Sequence, residues 1–283
     1  MTHHKRILLT GATGFIGSHL TKGLQEQGYT IVPISRSTGF NFNRMITPED
    51  WLPHLVNVDA VINAIGIIVK TRSQPFEILH YRAPVALFQA CIQMGIKRII
   101  QISALGADDN AFTAYQLSKK AADDTLRAMP VDWFVLRPSL VYGKDGVSMK
   151  LFQRLSRLPL IPLIAHEDCC VQPIHISDLV TTVMQCLITQ HTQQTIDIVG
   201  PHPLTFDTWL QSFRKHEQRP PAKTVPIPFQ FMLALARFAH CFLPLMHPDN
   251  LHMLKQGNVS DAAPLTAFLG RSPLTVEEGL CLI

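Results

Sequence analysis

Charge is scarce in this sequence, and basic runs are absent. Charged residues make up 16% of the 283 positions while hydrophobic residues make up 47%, a balance that buries a sizeable core and excludes an intrinsically disordered chain. The formal net charge is only +4, and Lys and Arg never stand in runs longer than two. Dispersed basic residues argue against nucleic acid as a partner. We therefore expect a compact globular protein that binds a small molecule.

The six cysteines form no C-x-x-C pair, and no signal-peptide core follows Met1. These absences favour reduced thiols and a cytoplasmic location. Potential metal ligands are dense only in 166–170 and at His175, without the spacing of a zinc site, so we predict no metal. His175 is predicted to be a buried, hydrogen-bonded histidine, and Ser177 and Asp178 to cap a helix.

No uninterrupted apolar stretch is long enough for a membrane span. The nearest candidate, 226–246, carries Arg237, His240 and three prolines. A central arginine costs roughly 2.5 to 3.5 kcal/mol even on a lenient insertion scale. A buried or groove-lining helix is favoured here, and membrane contact by 226–246 is the less favoured alternative.

Strand and helix patterns alternate through the first two hundred residues, which predicts an α/β fold with a doubly wound parallel sheet. Strands are expected at 7–10, 30–34, 59–64, 98–102, 133–136, 171–174 and 196–199, and helices at 17–27, 73–94, 113–128, 148–157 and 177–187. A Pro-rich connection is expected around 159–162. We predict one domain at 1–200, a small C-terminal substrate lobe at 201–283, and a contribution of 144–170 to that lobe.

A glycine-rich turn lies where the first strand ends and the first helix begins. The glycines are Gly11, Gly14 and Gly17, spaced G-x-x-G-x-x-G. Glycine at these points permits a tight turn, lets backbone N–H groups approach a pyrophosphate, and lets the helix pack closely on the sheet. The helix N-terminus adds unpaired donors and partial positive charge. The turn predicts a binding site for a nicotinamide dinucleotide.

The end of the second predicted strand reads Ser35-Arg36-Ser37, where an NAD-preferring protein places an acidic residue for the ribose 2′-hydroxyl. An arginine instead suits a bidentate contact with a 2′-phosphate, to which Ser35 can add a hydroxyl. The sequence thus favours NADP(H) over NAD(H).

Candidate chemistry lies after the fourth predicted strand. Tyr115 and Lys119 are four residues apart and share a helix face, and Ser103 stands at the carboxyl edge of the sheet. A neighbouring ammonium and an oxidised nicotinamide would both favour the phenolate of Tyr115, which predicts a lowered pKa. We predict Tyr115 as general acid/base, Lys119 as its electrostatic partner and Ser103 as the group that orients the substrate oxygen.

The sequence resembles the extended or atypical branch of the short-chain dehydrogenase/reductase superfamily. The resemblance is carried by the turn 10–17, the segments 58–66, 103–107 and 136–143, and the Tyr115/Lys119 pair, and it extends to 172–179 and 268–271. Within that superfamily the chain is most similar to the group of the NAD(P)H-binding accessory subunit of respiratory complex I and its bacterial relatives.

This resemblance implies a Rossmann-type domain with adenine near Asn41 and Phe42, and nicotinamide against Pro138 and Val141. The catalytic residues would be Ser103, Tyr115 and Lys119. The predicted cofactor-binding set is Gly11, Thr13, Gly14, Phe15, Ile16, Gly17, Ser35, Arg36, Asn41, Phe42, Ala64, Ile65, Gly66, Tyr115, Lys119, Pro138 and Val141.

Three functions stay open at this stage. The first is an NADP(H)-dependent oxidoreductase acting on a fairly apolar substrate. The second is a non-catalytic NAD(P)H-binding protein with a structural, assembly or redox-sensing role, since His80 stands where many extended members have an asparagine in the proton relay. The third is a nucleotide-sugar epimerase or dehydratase. The oligomer is expected to be a monomer or a homodimer.

Overall fold

A computed structural model describes residues 5–69, 75–164, 170–239 and 247–283. The chain forms two compact units, each built from separate stretches. The first combines Met1–Pro138 with Leu179–Ile196, and the second combines Ser139–Asp178 with Asp197–Ile283. That 1–200 and 201–283 act as a binding domain and a substrate lobe stays a prediction.

A six-stranded sheet with the order β10-β5-β4-β3-β1-β2 forms the centre of the first unit. Its strands are β1 (Arg6–Thr10), β2 (Thr30–Ile34), β3 (Ala60–Asn63), β4 (Arg98–Ile102), β5 (Asp132–Pro138) and β10 (Gln194–Ile198). The pairings from β2 through β1, β3 and β4 to β5 are parallel, which confirms the α/β prediction. The strand order reverses between β1 and β3, and ligands of such open sheets bind outside the carboxyl ends at this reversal.

The helices of the first unit follow the predicted alternation. They are α1 (Phe15–Glu26), α2 (Ala83–Gln93), α3 (Ala114–Arg127) and most of α5 (Ile176–Ile188). Short 3-10 turns lie at Arg36–Thr38, Phe42–Arg44, Pro48–Asp50 and Leu52–His54. The start of the helix predicted at 73–94 lies outside the described residues, and the described part opens with a π-helix, Glu77–Arg82.

Pro84 gives a physical reason for the π-helix. A proline ring in a helix clashes with the carbonyl four residues earlier and offers no N–H to it. For Pro84 that carbonyl belongs to His80, inside the widened turn Glu77–Arg82. The widening makes room for the ring, and π-turns of this kind occur frequently at functional sites.

Apolar side chains from the strands and helices of the first unit form its core. Leu8, Val61 and Ile99 on adjacent strands pack with Phe88 of α2 and with Trp51, and all five are fully buried. Each such side chain contributes about 1.5 to 3 kcal/mol relative to an exposed one. The core therefore fixes the strands whose carboxyl ends carry the polar residues considered below.

The second unit contains short strands and six helices among its described residues. The strands are β6 (Val141–Tyr142), β7 (Leu160–Ile164), β8 (Cys170–Val171), β9 (Ile174–His175), β11 (Leu204–Thr205) and β12 (Lys223–Ile227). The helices are α4 (Val147–Ser156), α6 (Phe206–His216), α7 (Phe229–Ala239), α8 (Pro248–Gln256), α9 (Ala263–Leu269) and α10 (Val276–Leu280). His175 is buried and lies 2.7 Å from the Ser177 hydroxyl, as predicted.

Two segments of the second unit differ from expectation. The Pro-rich stretch around 159–162 forms β7, which pairs in parallel with β12. Both strands of a two-stranded sheet are edges, where a proline such as Pro162 is tolerated. In α7, Met232 and Ala236 are buried while Phe231 is 75% exposed. No helix in the described ranges is long and apolar enough to cross a membrane, and 240–246 fall outside them.

Asp178, predicted as a helix cap, lies inside the first turn of α5 and bonds to a distant segment. Its carboxylate is fully buried and accepts hydrogen bonds from Arg271 Nη2 at 2.6 Å and from the Leu274 N–H at 2.8 Å. These bonds join the start of α5 to the segment before α10, so the two C-terminal segments that carried the family resemblance meet at this carboxylate. The sequence analysis missed this contact because the residues are 93 positions apart.

Candidate functional site

The glycine turn between β1 and α1 is closely packed backbone. Gly11 has φ of +67°, a conformation that L side chains rarely adopt, and a Cβ there would lie 2.5 Å from the Ala64 carbonyl oxygen. A Cβ at Gly17 would overlap the carbonyl of Gly11 although the φ of Gly17 is ordinary. Glycine is therefore required at both positions, as the sequence analysis predicted, to bring α1 against the ends of β1 and β3.

The N-terminus of α1 has features of an anion site. The helix begins after Gly14, which supplies no side-chain cap, and its first turn contains no acidic residue. The first N–H groups of a helix lack intrahelical partners and carry partial positive charge. Thr13 adjoins this end, and its hydroxyl accepts a hydrogen bond from Ser37 Oγ at 2.9 Å. The Thr13–Ser37 bond links the glycine turn to the loop after β2.

The loop after β2 contains Ser35 and Arg36, the residues predicted to contact a ribose 2′-phosphate. Ser35 is buried and caps the 3-10 turn Arg36–Thr38, so its hydroxyl already serves the local backbone. The Arg36 side chain is exposed and makes no ion pair within the described ranges. Arg36 also lines a small cavity together with Phe40, Asn41, Phe42, Asn43 and Leu79.

Asn41 and Phe42, the residues predicted to lie near adenine, both line this cavity, but their environments differ. Asn41 caps the turn Phe42–Arg44 by accepting a hydrogen bond from the Asn43 N–H at 3.1 Å. Phe42 is 95% buried and stacks on Trp51 with 6.3 Å between ring centroids. Phe42 is therefore mainly a core residue whose edge reaches the cavity.

Lys119 lies at the carboxyl ends of two strands. Its ammonium donates hydrogen bonds to the carbonyl of Ile65 at 3.0 Å, just past β3, and to the carbonyl of Ile102 at 2.9 Å, the last residue of β4. The side chain is buried, and a Cβ at Gly66 would lie 3.4 Å from its nitrogen. Burial lowers the pKa of Lys119 to about 8, although the charge of Asp123 opposes this shift.

Tyr115 lies one helical turn before Lys119, in the first turn of α3. The capping box of Thr113 and Gln116 fixes this turn. The Tyr115 ring makes edge contacts with Phe76 and His80, with 5.9 Å and 5.5 Å between ring centroids. Burial, with a further contribution from the charge of Asp123, raises the pKa of Tyr115 to about 12. This direction is opposite to the lowered pKa predicted from the sequence, which depends on Lys119 and an oxidised nicotinamide acting on the phenol.

Ser103 lies one residue beyond β4 and is buried with Asp123 of α3, to which its hydroxyl donates a short hydrogen bond. Asp123 follows Lys119 by four residues, so Tyr115, Lys119 and Asp123 share one face of α3. The sequence analysis missed Asp123, although this spacing could have revealed it.

A chain of buried amide and hydroxyl groups runs along the same sheet edge. Thr10 Oγ1 donates to Asn63 Oδ1 at 2.5 Å, and Asn63 Nδ2 donates to Gln101 Oε1 at 2.6 Å. All three residues are fully buried on neighbouring strands. Hydrogen bonds between buried polar groups of this kind hold strand ends in fixed positions.

His80 connects the loop after β3 to α3. Its Nε2 accepts the Ile67 N–H at 3.1 Å, and its Nδ1 lies 2.9 Å from Ser118 Oγ. Since the backbone N–H requires an acceptor, the proton of the neutral ring belongs on Nδ1 and is donated to Ser118. Ser118 in turn donates to the Tyr115 carbonyl at 2.7 Å. Burial, with the charge of Lys119, lowers the pKa of His80 to about 2.

The remaining predicted site residues are distributed over both units. Pro138 ends β5 in the first unit and accepts a hydrogen bond from the Leu105 N–H at 2.9 Å. Val141 starts β6 in the second unit and pairs with Ile174. Four members of the metal-ligand cluster considered above, 166–169, lie outside the described residues.

These features together fit a dinucleotide. Gly11 and Gly17 let the backbone of the turn pack closely at the carboxyl ends of β1 and β3, the start of α1 has no side-chain cap, and the turn lies at the reversal of strand order. This combination defines a nucleotide-binding α/β protein of the Rossmann type.

The chain belongs to the NAD dependent epimerase/dehydratase family, whose model matches residues 7–196. This match confirms the resemblance to the extended short-chain dehydrogenases/reductases and places the protein among those of the NAD(P)-dependent oxidoreductase and epimerase kind.

Curated relatives match part of the chain at low identity, and two of them are described here. The ceramide reductase of Caulobacter vibrioides is 28% identical over 184 residues, which cover 61% of this chain and 57% of the relative. The mouse mitochondrial NADH dehydrogenase [ubiquinone] 1 alpha subcomplex subunit 9 is 24% identical over 186 residues, which cover 60% of this chain and 49% of the relative. The chain thus spans about half the length of the relatives it matches.

Solved structures share the fold over nearly the whole chain. A nucleoside-diphosphate-sugar epimerase from Staphylococcus aureus superimposes with a TM-score of 0.76 at 15% identity, covering 97% of this chain and 99% of the epimerase. MoeE5 in complex with UDP-glucuronic acid and NAD superimposes with a TM-score of 0.72 at 20% identity, covering 98% and 97%. At such identities the likeness concerns the fold alone.

Proposed function

We propose that the protein is an NADP(H)-dependent oxidoreductase that reduces a carbonyl group on a fairly apolar substrate. The observation that carries this proposal is the buried ammonium of Lys119, held between the carbonyls that follow β3 and end β4. It brings a positive charge to the sheet edge where the family binds its cofactor, on the same helix face as a phenol.

Tyr115 and Lys119 divide the work at this edge. When bound, a reduced nicotinamide supplies the hydride that turns a carbonyl carbon into an alcohol carbon. Tyr115, whose pKa is raised to about 12, is protonated at neutral pH and gives its proton to the carbonyl oxygen. The positive charge of Lys119 favours the phenolate that remains, and solvent returns the proton. In this proposal the protonated phenol is the general acid of the reductive direction.

The cofactor preference rests on Arg36. Its guanidinium is exposed beside the predicted adenine cavity, and the loop presents hydroxyl groups but no carboxylate at the end of β2. A guanidinium can pair bidentately with a phosphate, whereas a ribose 2′-hydroxyl is commonly held by a carboxylate. We therefore favour NADPH over NADH.

A Tyr115→Phe variant tests the catalytic part. Phenylalanine keeps the ring that contacts His80 and Phe76 but has no proton to give. Against a panel of aldehydes and ketones with NADPH, the variant is expected to lose at least 100-fold in turnover, the lower range of general acid catalysis. NADPH affinity, measured by calorimetry, should stay within about threefold. Equal turnover by both proteins would remove Tyr115 from the reaction.

An Arg36→Ala variant tests the cofactor preference. NADPH affinity should fall by about tenfold or more, since a charge-assisted pair is lost, while NADH affinity changes little. Arg44→Ala is a suitable control because Arg44 ends the neighbouring turn Phe42–Arg44. If the unaltered protein binds NADH as well as NADPH, the interpretation of Arg36 is wrong.

A second candidate is a dinucleotide-binding protein that catalyses no reaction. It is favoured by His80, which stands at the relay position with both ring nitrogens bonded to protein groups and a pKa lowered to about 2. A histidine so held neither takes up nor releases a proton near neutral pH. Stabilisation by NADPH without oxidation of NADPH across the carbonyl panel would favour this candidate. Substrate-dependent loss of NADPH absorbance would dismiss it.

A further inference from the structure

The proton of Ser103 has a partner within the protein. Ser103 Oγ donates it to Asp123 Oδ2, and the two side chains are 4% and 0% exposed. A serine hydroxyl carries one proton and two lone pairs. While that proton points at Asp123, Ser103 can only accept a hydrogen bond from a substrate. The usual expectation that such a serine donates to a carbonyl oxygen is therefore not met when Asp123 is a carboxylate.

The surroundings of Asp123 make its protonation state variable. The titratable groups that interact with it electrostatically are Tyr115, Lys119 and Arg127 of its own helix, while Gln101 at β4 and Ser103 just past β4 are its uncharged partners. Burial raises the pKa of Asp123 to about 6, although the Ser103 hydrogen bond and the charge of Lys119 oppose the shift. Both protonation states are thus accessible between pH 5 and 8.

We propose that Asp123 is a positioning residue whose protonation sets the direction of the Ser103 hydroxyl. The carboxylate takes the Ser103 proton and leaves Ser103 as an acceptor suited to a substrate alcohol. The carboxylic acid carries its own proton and leaves Ser103 free to donate to a substrate carbonyl. This inference rests on the proposed function, since it requires a substrate oxygen at Ser103. Reduction then has two donors, Tyr115 and Ser103, only when Asp123 is protonated.

A titration that needs no substrate tests the hydrogen bond. The carboxyl carbons of aspartate are labelled with ¹³C in the full chain with NADPH present, and the Asp123 resonance is assigned by its loss in Asp123→Asn. Because the Ser103 bond lowers the pKa of Asp123, Ser103→Ala should move that titration to higher pH. Ser212→Ala, which removes an exposed hydroxyl bonded to the Thr208 carbonyl within α6, should leave the Asp123 titration in place. An unchanged Asp123 titration in Ser103→Ala overturns the proposal.

The pH profile of turnover tests the consequence. Wild-type carbonyl reduction should fall by up to about tenfold per pH unit above the Asp123 titration point, toward a floor set by Tyr115 alone. Asparagine at position 123 cannot ionise, so Asp123→Asn should flatten this limb of the profile. In a protein that already carries Ser103→Ala, adding Asp123→Asn should not change the pH profile further. A wild-type profile in Asp123→Asn overturns the proposal.

The oxidoreductase function and the role of Asp123 can fail separately. If wild type reduces no carbonyl compound at any pH, the proposed oxidoreductase function is wrong. The NMR titration still decides whether Asp123 controls the Ser103 proton.

Discussion

Replacement of His80 by glutamine should change how stability depends on pH. Folding holds His80 neutral, with a pKa near 2 against an ordinary value of 6.5. Below pH 6.5 the unfolded chain takes up a proton at this position and the folded chain does not. Its contribution to folding stability is therefore lost as pH falls from 6.5, by about 1.4 kcal/mol at pH 5.5 and about 2.7 kcal/mol at pH 4.5. Glutamine offers an amide NH2 donor group and a carbonyl acceptor, and it never ionises.

Asp123 makes the wild-type curve alone ambiguous. Its folded pKa is raised from 3.8 to about 6, so the folded chain binds a proton more readily than the unfolded chain between these values. Stability from Asp123 therefore rises as pH falls through this window, by about 3 kcal/mol in total. The opposite signs of His80 and Asp123 nearly cancel in wild type. Asp123 is present in both proteins, so its contribution cancels in the difference between the free energies of unfolding of wild type and His80→Gln.

Urea unfolding at pH 7.5, 5.5 and 4.5 measures this difference. We expect His80→Gln to gain on wild type by about 1.4 kcal/mol for each pH unit below 6.5, whatever their difference at pH 7.5. His191→Gln, at an exposed histidine, serves as the control and should show no such trend. A gap between wild type and His80→Gln that stays constant from pH 7.5 to 4.5 would refute the neutral, doubly bonded histidine.

Two further substitutions test packing and charge. Gly17→Ala should destabilise the fold by about 3 kcal/mol and abolish NADPH binding, because the added Cβ overlaps the backbone of Gly11. Gly95→Ala places its Cβ in open space and should cost only about 1 to 2 kcal/mol, for the positive φ at that position. Thermal unfolding and calorimetry would show the contrast, and equal effects would contradict it. Arg271→Ala should lower the free energy of unfolding by about 3 kcal/mol, because it removes the arginine that pairs with buried Asp178. Arg219→Ala, at an equally exposed arginine that pairs with the partly exposed Glu217, should lower it by less than about 1 kcal/mol in urea unfolding. Similar losses in the two variants would contradict this prediction.

Local pattern was enough to predict the scaffold of the first unit. The predicted strands 30–34 and 98–102 coincide with β2 and β4, and the glycine turn has the predicted place between β1 and α1. These features depend on residues close together in sequence, where periodicity and glycine geometry decide the structure. The strand at Pro162 was missed because its partner β12 lies some sixty residues away, and only that pairing makes the prolines acceptable.

The direction of the Tyr115 pKa shows why a site needs more than motif spacing. Four-residue spacing correctly places Lys119 on the face of Tyr115, yet it does not reveal where the ammonium points. In the structure the ammonium donates to the Ile65 and Ile102 carbonyls, and Asp123 adds negative charge behind it. The two carbonyls belong to segments distant in sequence, and Asp123 belongs to the next turn of α3. A phenol in these surroundings keeps its proton at neutral pH and holds it more tightly than a free tyrosine does, so the folded environment, and not the motif, decides the direction of the pKa shift.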